Sequence, residues 1–156
     1  MLQMNIDLLI LDFDGVLTDN RVYVTRDGEE IVACHRGDGW GIRLLKDAGL
    51  EIIILSTETN FVVSARAKKL GIDCHQGCPD KAEAAQKIIE SRHLDPARVM
   101  YVGNDTNDAR AMALVGHPVA PADAHPEIVK IATIVTAANG GQGVVRELAD
   151  LLLSTS

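Results

Sequence analysis

Aromatic side chains are scarce: two Phe, two Tyr and one Trp make up 3% of the chain. So thin a supply argues against a surface that recognises its ligand by stacking bases or sugar rings. Basic residues are in deficit too, 15 Lys and Arg against 22 Asp and Glu, for a net charge of −7. That balance excludes the broad cationic face that nucleic acid or an anionic membrane requires. It leaves open a small anionic ligand, whose contacts are decided by a bound metal and a few local cations. No apolar run approaches the roughly 20 residues of a membrane-spanning helix. Cysteines number three, Cys34, Cys74 and Cys78. An odd count with no secretory leader in view predicts reduced thiols and a cytoplasmic protein. Cys74, His75 and Cys78 make at most half of a zinc site, with no second ligand pair to complete it.

What is present fits one domain over residues 1–156, with 47% hydrophobic and 24% charged residues and enough length to bury a core without disulfides. Strand-like and helix-like segments alternate, the pattern of an α/β fold with a doubly wound, mostly parallel sheet. Strands are predicted at Ile6–Leu11, Glu51–Leu55, Asp73–His75, Val99–Val102, His117–Ala120 and Ile134–Val135. The nearly continuous Ile-Ile-Ile-Leu of the second implies burial on both faces. Between the first two, Arg21–Thr25 and Glu29–Ala33 flank Asp27-Gly28, a turn signal for a small hairpin insertion. Helices are predicted from Gly41 to Ala48, Asn60 to Leu70, Asp80 to His93, after Asn104–Asp108 through Val115, after Pro126, and from Val144 to Leu153.

Chemistry concentrates at the predicted strand ends. Asp12 and Asp14 close the first hydrophobic run, and two carboxylates so near repel unless a cation sits between them or one keeps its proton. A hard divalent cation such as Mg²⁺ is the cheapest resolution. Ser56, Thr57 and Glu58 follow the second strand, Lys81 opens the helix after the third, and Asn104–Asp108 follow the next. In doubly wound sheets these carboxyl ends converge at the ligand crevice. Acids, a hydroxyl and a lysine there suit phosphoryl transfer. Simpler readings exist for several of them: Ser56 as a strand terminator, Lys81 as a solvated first-turn lysine, Asp108 as a helix cap or a ligand. His35 and Arg36 fit a solvated turn as well as a substrate contact. Gly140, Gly141 and Gly143 could cradle an anion at a helix start or permit a tight turn.

The ordered set is similar to the four motifs of the haloacid dehalogenase superfamily. Asp12-Phe13-Asp14-Gly15-Val16-Leu17-Thr18-Asp19 resembles the first, Ser56 the second, Lys81 the third and Gly103–Asp108 the fourth. Within it, the chain resembles, almost end to end, the small capless phosphatases of 3-deoxy-D-manno-octulosonate 8-phosphate and of related nonulosonate 9-phosphates. Arg36–Ile42, Val119–Pro126 and Gly140–Glu147 carry that likeness. It implies a Rossmann-like core with no large cap, a Mg²⁺ cofactor held by Asp12, Asp14 and Asn104, and Asp105 and Asp108 just behind them. Asp12 would be the nucleophile of an aspartyl-phosphate and Asp14 the acid–base; Ser56 and Lys81 would hold the phosphoryl group. Thr57, Glu58, Arg36, Asp38 and Gly39 are the candidate substrate contacts. A homotetramer is expected, neighbouring subunits covering the site in place of a cap.

Two residues depart from the family pattern. Asn104 stands where phosphatases usually carry a metal-ligating aspartate, which removes a charge. Glu58 falls where octulosonate phosphatases usually have an arginine, which favours a nonulosonate, sialic-acid-like substrate. Asn104 also motivates a rival expectation: a weakly active or non-catalytic assembly domain associated with a CMP-sialate synthetase. A response-regulator receiver is a third reading, opposed by the Asp12–Asp14 spacing and the hairpin insertion.

Overall fold

In the computed structural model, which describes residues 1–154, the apolar runs form a six-stranded, all-parallel sheet. The elements in order are β1 (Leu8–Leu11), the hairpin β2 (Tyr23–Val24) and β3 (Glu30–Ile31), α1 (Arg36–Asp47), β4 (Glu51–Leu55), α2 (Phe61–Leu70), β5 (Asp73–His75) and α3 (Lys81–Ser91). There follow β6 (Val99–Val102), α4 (Ala109–Met112), β7 (His117–Ala120), α5 (Pro126–Ile131), β8 (Ile134–Val135) and α6 (Val144–Leu153). Sheet order is β5-β4-β1-β6-β7-β8. The chain therefore winds outward in both directions from β1, and the strand ends on either side of β1 open the crevice.

Period-two alternation sorts the central strands between two apolar layers. Leu9 and Leu11 of β1, with Ile52, Ile54, Met100 and Val102, face α1, α2 and α6. Leu8 and Ile10, with Ile53, Leu55, Val99 and Tyr101, face α3, α4 and α5. Both faces of β1 and β6 are buried, which is why their sequences read as unbroken hydrophobic runs.

Local signals set most boundaries. Asn60 and Asp80 cap α2 and α3 through side-chain oxygens that accept from Val62 N and Glu83 N. Gly71 ends α2 in the left-handed region at φ 67°. The Asp27-Gly28 turn closes the hairpin with Gly28 at φ 85°.

Several expected boundaries shift. Ile6 and Asp7 precede β1, and the hairpin strands are two residues each. The helix expected through Val115 stops at Met112. The largest difference is α1, which begins at Arg36 instead of Gly41, with His35 Nδ1 accepting from Gly37 N as its cap. Its glycines read locally as a loop, yet Gly41 is there for close packing: a Cβ would stand 2.8 Å from the Val145 carbonyl oxygen of α6. None of the helices among the described residues is long and apolar enough to cross a membrane.

Candidate active site

The strand ends deliver their polar residues to one cleft of about 340 Å³, lined by Asp12, Asp14, Ser56, Glu58, Lys81 and Asn104, with Thr57 and Asp105 also in its wall. Asp12 is buried just past β1, where Oδ1 accepts from its neighbour Phe13 N at 2.8 Å and from Lys81 Nζ at 2.7 Å. Lys81, buried at the start of α3, reaches Asp108 Oδ1 at 2.9 Å as well. One ammonium thus braces two carboxylates.

Asp108 uses all of its acceptor capacity inside the protein. Oδ1 also accepts from Tyr101 Oη at 2.6 Å, and Oδ2 accepts from Asn104 N at 3.0 Å and Asp105 N at 3.3 Å. Its side chain secures the N–H groups of Asn104 and Asp105 at the start of the 106–108 turn and braces Lys81, and makes no cap hydrogen bond to α4. It stands behind Asn104, and Asp105 lies exposed in the cleft wall.

The ionisation of this group follows from burial. Burial pushes Asp12 up to about 8, the charge of Asp108 adding to the rise and Lys81 opposing it. Burial works to strip the proton from Lys81, yet Asp12 and Asp108 outweigh it and raise its pKa above the ordinary value. Tyr101 is driven well above 10 by burial and then by Asp108, so it remains a donor. Asp14 is half-buried and raised by desolvation, with Glu58 adding to the rise and a 3.2 Å hydrogen bond from Thr18 Oγ1 opposing it.

Asn104 meets both acids. Turned with its nitrogen toward them, its amide donates to Asp12 Oδ2 at 2.7 Å and to the Asp14 carbonyl oxygen at 3.0 Å. Turned the other way, its oxygen faces the other two oxygens at those spacings. An octahedral Mg²⁺ with bonds of 2.0–2.1 Å places neighbouring ligand oxygens about 2.9 Å apart. The donor set therefore fits a hard cation. Among the described residues no three His, Cys, Asp or Glu side chains gather as a ligand group, so a cation here would draw on the Asp14 backbone and the Asn104 amide beside Asp12. The three cysteines are free thiols.

Not every expected residue arrives here. Arg36 and Gly39 line a separate basic groove between α1 and α2, with Arg43, Lys46, Arg66 and Lys69. Asp38 is buried, and its Oδ1 accepts from Val145 N and Arg146 N, so it caps α6 instead of facing the cleft. Glu58 borders the cleft while its Oε1 accepts from Thr59 N and Asn60 N. Ser56 is buried with its Oγ accepting from Glu58 N.

The glycine-rich segment is a buttress for the turn that follows β1. Gly141 N donates to Val16 O, and a Cβ on Gly140 would stand 1.9 Å from the Gly15 carbonyl oxygen. Gly140 and Gly141 thus serve the tight turn of the two roles open to them in the sequence. Three contributors escaped the sequence reading. Tyr101 looked like core, Thr18 lay inside a quoted motif without a role, and Arg21 lines a hollow adjoining Asp14 and Glu58.

Comparison with known proteins defines the class first. The family model for haloacid dehalogenase-like hydrolases matches residues 74–148, and with the paired acids and lysine at the strand ends the chain is a phosphoric monoester hydrolase of that superfamily. The 3-deoxy-D-manno-octulosonate 8-phosphate phosphatase of Escherichia coli K12 is 43% identical over 150 residues, covering 96% of this chain and 80% of that one. The crystal structure of the Yersinia pestis phosphatase of the same name superposes with a TM-score of 0.92 at 41% identity, over 96% of this chain and 81% of that one. The Moraxella catarrhalis phosphatase of that name, solved with a magnesium ion, a phosphate ion and a KDO molecule, gives 0.92 at 29% identity over 96% and 86%. This chain belongs to the family of 3-deoxy-D-manno-octulosonate 8-phosphate phosphatases.

Proposed function

We propose that the chain is a Mg²⁺-dependent phosphatase acting on the phosphomonoester of a 2-keto-3-deoxy sugar acid through an aspartyl-phosphate. The observation that carries this reading is the convergence of Asp12, Asp14, Ser56, Lys81 and Asn104 on one cleft from four separate strand ends. Asp12 Oδ2, the Asp14 carbonyl oxygen and the Asn104 side-chain oxygen would hold the cation. When bound, the cation neutralises phosphate oxygens and holds Asp12 in its charged form.

The chain's own groups then divide the work. The Asp12 carboxylate forms a bond to phosphorus as the bond to the sugar oxygen breaks, and Asp14 gives that oxygen its proton. Asp14 next accepts a proton from water, which attacks phosphorus; the bond to Asp12 breaks and inorganic phosphate leaves. Lys81 and the Ser56 hydroxyl steady the phosphoryl oxygens throughout.

The names of the relatives favour an eight-carbon acid. Glu58 in the cleft wall opposes the carboxylate contact an arginine would make there, and that departure from the octulosonate pattern favours a nine-carbon one. Phosphate release from matched eight- and nine-carbon keto-deoxy sugar phosphates decides between them. Asp12→Asn should cost at least about 10³-fold in kcat, and a chelator should abolish turnover. Full turnover in either case would overturn the mechanism, and no phosphate release by the wild type from either substrate would favour the assembling role instead. We also propose a homotetramer built on the hairpin, where Val22, Tyr23, Val24 and Ile31 are each more than half exposed. A monomer with full activity in light scattering would remove that part.

A further inference from the structure

Asn104 is fixed everywhere except at its amide. Its backbone N–H donates to Asp108 Oδ2 at 3.0 Å, and its carbonyl oxygen accepts from His125 N at 2.8 Å. The side chain is buried, so its amide finds partners within the site or goes without. On one side lie Asp12 Oδ2 and the Asp14 carbonyl oxygen. On the other lies the bare α-carbon of Gly15, where a Cβ would stand 1.9 Å from the amide nitrogen. Glycine there, at φ 81°, leaves the amide the space to occupy either orientation.

We propose that Asn104 is a reversible latch: without a cation its NH₂ ties the Asp12 carboxylate to the Asp14 backbone, and cation entry turns the amide over so that its oxygen joins theirs. This rests on the cation site assigned under the proposed function. An aspartate at the same place could do only the second of these things. Without a cation it would set a further carboxyl group 2.7 Å from Asp12, where the pair must share a proton or repel, and would leave the Asp14 carbonyl oxygen without a donor. Asparagine therefore keeps the nucleophile in register in the cation-free chain, and gives up cation affinity by lacking a charge.

Three measurements on the full chain test the latch. Isothermal titration with Mg²⁺ should show Asn104→Asp binding about tenfold or more tightly than the wild type, since each added ligand charge tightens such sites. Melting in chelator should place Asn104→Asp below the wild type, with the gap narrowing or reversing at saturating Mg²⁺. In ¹⁵N spectra of the wild type, the Asn104 side-chain NH₂ signals, identified by their loss in Asn104→Ala, should be hydrogen-bonded in chelator and shift on Mg²⁺ addition. Equal affinities, equal cation-free melting, or unmoved NH₂ signals while Mg²⁺ binds would each overturn the latch. No Mg²⁺ binding by titration would overturn the cation site itself, a result distinct from the other three.

Discussion

Asp108→Asn is the perturbation from which the structure forecasts most. The side chain is wholly buried and accepts four hydrogen bonds, from Lys81, Tyr101 and two backbone N–H groups. An amide keeps the shape but replaces one acceptor oxygen with a donor. Either that NH₂ faces Lys81 and Tyr101, or it faces the N–H groups of Asn104 and Asp105; donor meets donor both ways. Lys81 is left with Asp12 alone. Removing one member of a buried ion pair costs about 3–5 kcal/mol. That is a large share of the roughly 5–15 kcal/mol that holds a domain folded. At roughly 2–4 °C per kcal/mol for a chain of this size, Tm should fall by roughly 6–20 °C. Calorimetry and denaturant melts measure it directly. Tyr101→Phe removes one of the four donors and should cost about 1.5–3 kcal/mol. The double variant should lose less than the sum, because both changes break one network. A fall in Tm below about 2 °C for Asp108→Asn would refute the account of Asp108 as a saturated buried acceptor.

Other outcomes follow from the same geometry. Gly141→Ala sets a Cβ at φ 72° and 2.4 Å from Asp19 N, so it should cost about 1–3 kcal/mol and lower kcat in the fraction that stays folded; unchanged kinetics would show that the buttress does not position the turn. Gly140→Ala should behave alike, with its Cβ 1.9 Å from the Gly15 carbonyl oxygen. Burial raises the pKa of Asp38 above 3.8 despite its two backbone hydrogen bonds. The folded chain therefore binds more protons there than the unfolded one, and stability falls as pH rises from that ordinary value through the raised one. Asp38→Asn should lack this slope, so the Tm difference between variant and wild type should move in favour of the variant from about pH 4 upward; a constant difference would contradict it.

Much of this was legible in one dimension because its causes are local. The Ile-rich β4, the Asn60 and Asp80 caps and the Gly71 stop each act within a few residues, and pattern reading placed them well. The acids at the end of β1 were legible for an electrostatic reason, since carboxylates so close need a counter-charge. What escaped depends on partners far along the chain. Asp38 resembled a substrate contact until α6, 107 residues away, supplied the N–H groups it caps. Arg36 and Gly39 were candidate contacts through the family likeness of Arg36–Ile42, but α1 carries them to another groove. Gly41 stood only as the start of a predicted helix and Gly140 as a cradle or turn glycine, whereas each marks a place where another backbone passes too close for a Cβ. Tyr101 was hidden by its strand, which reads as apolar core although one hydroxyl in it reaches Asp108.

The glycine segment and α6 bear on how activity begins during synthesis. Asp12 is made well before Gly140 and Gly141, the backbone that packs against the turn following it. A growing polypeptide should therefore gain activity only once residues 140–153 have left the ribosome and folded back. Trimming that helix should silence the enzyme without touching a single reacting atom.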